Sequence, residues 1–257
     1  VSTALVTGAT AGIGREFAVQ LAAKGDDLVL VARDSARLDA LAAELGGAHG
    51  VAVEVICADL SDRAALERVA ERLRDPARAV DLLVNNAGYG LGSPFVDTTV
   101  EDEERLLDVL VRAVLVLSHA AAGAMVVRGS GRIINVSSVA GLLTSGTYAA
   151  SKAWVITFSE SIAAQLAPRG VGVTALLPGY VRTEFHERAG IDKKRNGPFW
   201  LDAPDLVRQA LADSERGRVV SVPSPQYKAV VGVVRHLPRV LLRNPRVTAL
   251  HRKNPSP

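Results

Sequence analysis

The sequence predicts an α/β chain built on a single doubly wound parallel sheet, with a basic C-terminal tail. Three observations lead there. Short apolar runs alternate with longer amphipathic segments through the first 222 residues, the first apolar run leads into a glycine-rich turn, and no Ser/Gly/Pro-rich linker divides the 257 residues into halves. Alternation of this kind builds strand–helix–strand units whose crossovers leave successive strands parallel. Strands are expected near 3–7, 27–32, 51–57, 80–85, 131–137, 171–177 and 217–222, and helices near 12–24, 35–45, 62–74, 101–128, 147–167 and 203–213. Residues 1–222 read as one domain, with 184–202 as a mobile lid on it, and 223–257 as a basic, helical extension.

Each element carries its own signal. The first strand, Ala4-Leu5-Val6, runs into Thr7-Gly8-Ala9-Thr10-Ala11-Gly12-Ile13-Gly14 and then into the helical Arg15-Glu16-Phe17. Glycines here let the backbone approach a pyrophosphate, and the helix N-terminus behind them offers unpaired N–H groups. The second strand, Leu28-Val29-Leu30-Val31-Ala32, ends in Arg33-Asp34. An acid at this strand end binds a ribose 2′-hydroxyl in dinucleotide folds, whereas an arginine accepts a 2′-phosphate. Ala32 takes the acid's place and Arg33 follows, so NADP(H) is expected; the competing reading pairs Arg33 with Asp34 or Asp59 on the surface. Asp59-Leu60 follows the third strand, Asn85-Asn86-Ala87-Gly88 the fourth, and Asn135-Val136-Ser137-Ser138 the fifth. Ten residues beyond Ser138, a helix begins with Tyr148-Ala149-Ala150-Ser151-Lys152. Residues i and i+4 share a helix face, so Lys152 is expected to place positive charge beside the Tyr148 oxygen and lower a phenol pKa that is ordinarily about 10. The sixth strand ends at Pro178-Gly179, ahead of Tyr180-Val181-Arg182-Thr183.

In this order the motifs resemble those of the short-chain dehydrogenase/reductase family, from about Ser2 to about Val222. The resemblance implies a Rossmann-fold, NADP(H)-dependent enzyme with its dinucleotide across the carboxyl ends of the strands. It implies cofactor contacts from Gly8, Thr10, Gly12, Ile13 and Gly14, from Arg33, and from Asp59 to the adenine amino group with Leu60 beside it. The backbone of Asn86, Ala87 and Gly88 would lie along the cofactor, and Pro178, Gly179, Val181 and Thr183 over the nicotinamide. Asn85 and Asn86 have an equal structural reading, as ties between the central strand and its neighbours. For the chemistry, the resemblance implies that Ser138 polarises a carbonyl oxygen and Tyr148 delivers the proton. Lys152 would lower the tyrosine pKa and bind the nicotinamide ribose. The expected substrate is a ketone or secondary alcohol of an apolar, fatty-acyl, lipid or steroid-like compound, and the expected assembly a homodimer or homotetramer. A nicotinamide-binding sensor or scaffold with little turnover is the alternative.

Two departures from the family pattern bear on that choice. An asparagine is usual in the long helix before the fifth strand, where it holds a water linking the active-site lysine to solvent. Leu110 falls at that position, and no asparagine occurs between Asn86 and Asn135. The Ser138–Tyr148 separation of ten is also short, about thirteen being usual, which shortens the loop 139–147 beside the substrate and opens the pocket to bulky apolar compounds. The alternative is that Thr144 or Ser145 replaces Ser138.

Composition narrows the classes further. Cys57 is the only cysteine, which excludes an intrachain disulfide and a cysteine-based metal cluster, and five scattered histidines make no metal site. The start at Val1 enters a strand directly, so no secretion signal is expected and the cytoplasm is the default compartment. Lys and Arg total 30 and Asp and Glu 27; nine of the basic residues and none of the acidic ones lie after residue 215, leaving 21 basic against 27 acidic before it. The tail has one aromatic, Tyr227, to stack on bases, so nucleic acid is not the expected partner. If 226–243 is helical, Val230, Val234, Leu237 and Leu241 form an apolar stripe opposite Lys228, Arg235, Arg239 and Arg243. Such a helix packs on the body or a second subunit, or else lies in an anionic membrane interface, and Pro238 would kink it. No stretch is expected to span a membrane.

Overall fold

The computed structural model describes residues 2–184, 197 and 199–238. Its elements run β1 (Thr3–Thr7), α1 (Gly12–Ala23), β2 (Asp27–Ala32), α2 (Ser35–His49), β3 (Val53–Cys57), α3 (Arg63–Arg74), β4 (Leu82–Asn85), α4 (Val100–Leu107), α5 (Ala113–Arg128), β5 (Gly131–Val136), α6 (Gly146–Leu166), β6 (Val171–Leu176), β7 (Tyr180–Val181), β8 (Trp200–Leu201), α7 (Ala203–Glu215), β9 (Val220–Ser221) and α8 (Pro225–His236). Seven strands form one parallel sheet in the order β3-β2-β1-β4-β5-β6-β9, and β7 and β8 form a separate two-stranded parallel ribbon. The order reverses between β1 and β4, the switch point at which α/β sheets leave a crevice beyond their carboxyl ends.

The strands are continuous apolar runs because both faces of the sheet are covered. Ala4, Val6, Leu28, Leu30, Leu82, Val84, Ile134 and Val136 point to one side, with Phe17, Leu21, Leu38, Leu41, Leu206 and Leu211 from α1, α2 and α7. Leu5, Val29, Val31, Leu83, Ile133 and Val173 point to the other, against Leu66, Val69, Leu73, Leu117 and Met125 from α3 and α5. Successive side chains alternate between these two clusters, as the period of two requires.

Several boundaries differ from expectation, each with a local cause. Helix α2 continues past Gly46-Gly47 to His49 and stops at Gly50, whose φ of +68° is a left-handed C-cap. The long helix expected over 101–128 is interrupted at Asp108–Arg112 by a π-helical segment, the irregularity that often marks functional positions. Taken whole, Val100–Arg128 is long and apolar enough to cross a membrane, contrary to the sequence reading. Leu106, Leu110, Leu117 and Met125 are nonetheless fully buried against this protein's own core. The expected last strand contracts to β9.

The tail helix is shorter than expected and uses a different face. It starts at a Ser224 cap, whose Oγ accepts from the Tyr227 N–H at 3.1 Å, and ends at His236 ahead of Leu237-Pro238. Tyr227 and Val231 are buried and Val230 partly so, against Val139, Ile156, Ala175, Leu177 and Val222. Leu237 lies beyond the helix and is exposed, and the expected Leu241 falls outside the described residues. The apolar side of α8 therefore covers the body.

Candidate active site

The crevice at the carboxyl ends of the strands is a cleft of about 1510 Å³. Among the residues lining it are Gly8, Thr10, Gly12, Ile13, Arg33, Asp59, Leu60, Asn86, Ala87, Gly88, Ser138, Tyr148, Lys152, Pro178, Gly179, Val181 and Thr183. That set is the one read from the sequence except for Gly14, which is buried one layer below. A Cβ on Gly14 would stand 2.2 Å from the Gly8 carbonyl oxygen and 2.3 Å from Asn86 Nδ2, so only glycine lets α1 rise this close to the turn.

Thr7 holds the two halves of the switch point together. Its Oγ1 donates to Val84 O at 3.3 Å and accepts from the N–H groups of Asn86 and Ala87 at 2.9 and 3.0 Å. Asn86 Nδ2 returns to Thr7 O at 2.9 Å and Gly8 O at 3.3 Å. Asn85 donates to Ser118 Oγ at 3.0 Å and Asn135 Oδ1 at 2.9 Å, and Asn135 donates in turn to Ser159 Oγ at 3.0 Å. Both side chains are thus the inter-element ties of the structural reading, while the Asn86-Ala87-Gly88 segment faces the cleft. Thr7 escaped the sequence reading because nothing in its neighbourhood distinguishes a structural hydroxyl from an ordinary strand threonine.

Beyond the end of β2, the surface pairing considered for Arg33 does not form among the described residues. Asp34 caps α2 by accepting from the Arg37 N–H at 3.0 Å, and Asp59 is held by Arg105 at 2.6 Å and by the Ser61 hydroxyl at 2.7 Å. Burial works against ionisation of Asp59, but the hydrogen bonds from Ser61 and Arg105 outweigh it and hold the carboxyl below its usual range. Arg33 lines the cleft with no ion pair among the described residues.

At the opposite end Ser138, on the last residue before a 3₁₀ turn (Val139–Leu142), hydrogen-bonds Tyr148. Ser138 is therefore a hydroxyl that meets the phenol. The short 139–147 connection closes through Gly141, where a Cβ would lie 2.7 Å from the Lys152 carbonyl carbon, so the turn rests directly on the α6 backbone. Lys152 is buried; its Nζ donates to Val136 O at 2.7 Å and sits 5.8 Å from the Tyr148 ring centroid.

One electrostatic expectation is reversed. Burial pushes the Tyr148 phenol up to about 12, which the Ser138 hydrogen bond only partly offsets, and burial pushes the Lys152 ammonium down to about 8. Lys152 adds no counter-charge large enough to lower the phenol, because desolvation disfavours the charged form of each partner. Near neutral pH the pair is a phenol beside an ammonium, with the proton to be donated in place. A stability signature follows. Between about pH 8 and 10.5 the unfolded chain holds more protons at Lys152 than the folded one, so stability rises with pH across that window. Between 10 and 12 the sign reverses, because folded Tyr148 keeps a proton that the unfolded chain has lost. Wild type is expected to gain stability relative to Lys152→Met as urea unfolding is moved from pH 7.5 to 9.5; a difference independent of pH would contradict the assignment.

Leu110 is fully buried at the centre of the π-helical segment, with its Cδ2 2.8 Å from where a Cβ on Gly88 would stand; the same point is 3.8 Å from Lys152 Nζ. An apolar methyl thus occupies ground beside the buried lysine where the family pattern has an amide.

Tyr227, from α8, also reaches the cleft. Its ring lies against Gly179, where a Cβ would meet Tyr227 Cζ at 1.9 Å. Its hydroxyl accepts from the Tyr180 N–H and donates to Phe199 O, both at 2.9 Å. One side chain therefore binds both ends of the segment joining β7 to β8, the region read as a lid, of which 185–196 and 198 lie outside the described residues. The only sequence signal for Tyr227 was its being the one aromatic residue of the tail.

Comparison with known proteins agrees with this architecture. Residues 2–194 match the short chain dehydrogenase family model. The chain is 33% identical over 265 aligned residues to Probable oxidoreductase EphD of Mycobacterium tuberculosis; the match covers 95% of this chain and 45% of that protein, so the chain spans about half the length of that relative. Among solved structures, a short-chain dehydrogenase from Sphingobium yanoikuyae in complex with NADPH superposes with a TM-score of 0.84 at 40% identity, covering 91% of this chain and 94% of that one. The bulky-bulky ketone specific alcohol dehydrogenase from Comamonas testosteroni gives 0.79 at 32% identity, over 93% and 96%. With its motifs in order, its sheet reversing at β1/β4 and a family match over most of its length, the chain belongs to the short-chain dehydrogenase family.

Proposed function

We propose that the protein is an NADP(H)-dependent oxidoreductase that moves hydride between nicotinamide and the ketone or secondary alcohol of an apolar substrate. The observation that carries the reading is the Ser138–Tyr148–Lys152 group, its lysine buried, opening into the same cleft as the glycine turn and Arg33, which has no ion pair among the described residues. The residues fit a dinucleotide: Gly8 and Gly12 hold positive φ in a turn with no side chains to block a pyrophosphate, and Arg33 offers a guanidinium to a 2′-phosphate. When bound, the nicotinamide supplies or accepts the hydride.

The chain's own groups do the rest. Ser138 Oγ donates to the substrate oxygen and holds it near Tyr148, whose neutral phenol gives up its proton as negative charge develops there. The Lys152 ammonium stabilises the phenolate that results, and would make a second contact to the nicotinamide ribose. Val181 and Thr183 would hold the carboxamide, and Asp59 would accept from the adenine amino group. Leu91, Phe95, Val139 and Tyr180 in the cleft lining support an apolar substrate, and a ketone-specific relative supports a bulky ketone over a sugar. Assembly as a homo-oligomer and a cytoplasmic location belong to the same proposal.

Two measurements test this. NADPH absorbance across ketones of graded bulk and a set of sugars should show turnover only with the ketones. Arg33→Asp should shift binding from NADPH towards NADH by about 2–3 kcal/mol, the cost of losing a charge-assisted contact and adding repulsion. Wild type binding NADH as tightly as NADPH would remove the basis for NADP(H). Leu110 favours a second reading, a nicotinamide-binding sensor with little turnover, since a leucine side chain beside Lys152 offers no donor or acceptor for a water that resupplies its proton. Tight NADPH binding with no turnover on any carbonyl would select it.

A further inference from the structure

The rim of the cofactor cleft carries a second guanidinium for which the reading of Arg33 has no use. Arg37, on the first turn of α2, lines the same cleft as Arg33. Its backbone is fixed by the Asp34 cap, and its guanidinium crosses to the opposite wall, donating to Glu184 Oε1 at 3.2 Å. Glu184 follows Thr183, whose Cβ lies 3.1 Å from where a Cβ on Gly12 would stand. The segment Thr183-Glu184 therefore passes directly over the glycine turn, and Arg37 ties it down from the 2′-phosphate side of the cleft. Both partners are nearly half exposed, at 43% and 47%, and an ion pair of that kind is weak enough to exchange for a better anion.

We propose that Arg37 is a second ligand of the cofactor 2′-phosphate, and that Glu184 competes with that phosphate for it and so limits the preference for NADP(H) over NAD(H). The proposal rests on the assignment of a 2′-phosphate to Arg33. A phosphate carrying more than one negative charge and three acceptor oxygens engages a guanidinium in two parallel bonds, and so displaces a single carboxylate held through one nitrogen. Breaking the Arg37–Glu184 pair is a cost that the 2′-phosphate alone must meet, since NAD(H) presents a hydroxyl there and leaves the pair intact. The informative quantity is the ratio of the NADH to the NADPH dissociation constant. Any effect of the Thr183-Glu184 crossing on the rest of the dinucleotide is common to both cofactors and cancels.

The test titrates NADPH and NADH into wild type, Arg37→Met, Glu184→Gln, their double variant and Arg33→Ala. Arg37→Met should lower the ratio about tenfold and Glu184→Gln raise it about threefold or more, the size expected for one charge-assisted contact at a solvent-exposed rim. In the Arg37→Met background, Glu184→Gln should lose its effect. NADH affinity close to wild type in each variant reports an intact fold. An unchanged ratio in Arg37→Met, a lowered ratio in Glu184→Gln, or a Glu184→Gln effect that persists without Arg37 overturns the proposal. If Arg33→Ala lowers the ratio and Arg37→Met does not, the second ligand is wrong and the Arg33 assignment stands. If none of the variants moves the ratio and wild type binds both cofactors equally, the Arg33 assignment itself has failed.

Discussion

Tyr148→Phe should lower kcat by about 10²–10⁴-fold, the usual contribution of a positioned general acid, while NADPH affinity stays near wild type. The argument is local. The ring of Tyr148 is half-buried and remains in the variant, so packing around it is conserved; only the hydroxyl that meets Ser138 is lost. Removing that hydrogen bond costs about 1 kcal/mol of stability, too little to unfold a domain of this size. Since no other phenol hydrogen-bonds Ser138 among the described residues, no neighbour can take over the proton. Lys152→Met should differ in kind, losing turnover and cofactor affinity together, because in the proposed mechanism the ammonium acts on both the phenol and the ribose. Retained turnover in Tyr148→Phe would end the proposed mechanism. Equal losses of affinity in the two variants would mean that the site had collapsed rather than lost its acid.

Gly179→Ala should destabilise the protein by about 1–3 kcal/mol or more, the range for forcing extra volume into a filled site, and should impair turnover as well. The added methyl would fall 1.9 Å from Cζ of a tyrosine that cannot move aside, since its hydroxyl is bound at both Tyr180 and Phe199 and its backbone is capped by Ser224. Gly179 is not among the residues at positive φ, so the cost is contact rather than backbone strain. This yields a sharp double-variant test. In a Tyr227→Ala background the ring is gone and Gly179→Ala should be close to neutral, so the two changes should be strongly non-additive. Chemical unfolding of the four proteins measures the coupling. Additive losses would show that the C-terminal helix does not hold the Pro178–Thr183 segment in place.

The motifs were legible because each is a short run whose chemistry depends on neighbours in sequence. Strand periodicity showed which residues would be buried, and the turn Gly8–Gly14 needed only its glycines and the helix behind it to be read as a phosphate site. Ser138, Tyr148 and Lys152 could be placed because a strand end fixes the first and one helix turn links the other two. Element boundaries were less accurate where a local feature outweighed pattern, as when α2 ran through two glycines to reach Gly50. The π-helical segment at Asp108–Arg112 had no sequence signal, since its hydrogen bonds slip by one residue without any Gly or Pro to mark the place.

By itself, then, the sequence determined the parallel sheet, the place of the crevice, the family and most of the residues that line the cleft, all of which follow from periodicity and short-range stereochemistry. Only the tertiary structure decided how those residues behave. The phenol pKa moved opposite to the helix-pair expectation because burial, a property of the whole enclosure, outweighs one neighbouring charge. Whether Arg33 paired with Asp34 or Asp59 depended on where those two found partners, and Asp59 found Arg105, 46 residues away. The grip of Tyr227 on Tyr180 spans 47 residues and the Arg37–Glu184 pair 147. Contacts over such separations are set by how the chain closes on itself, and no local window of sequence contains them.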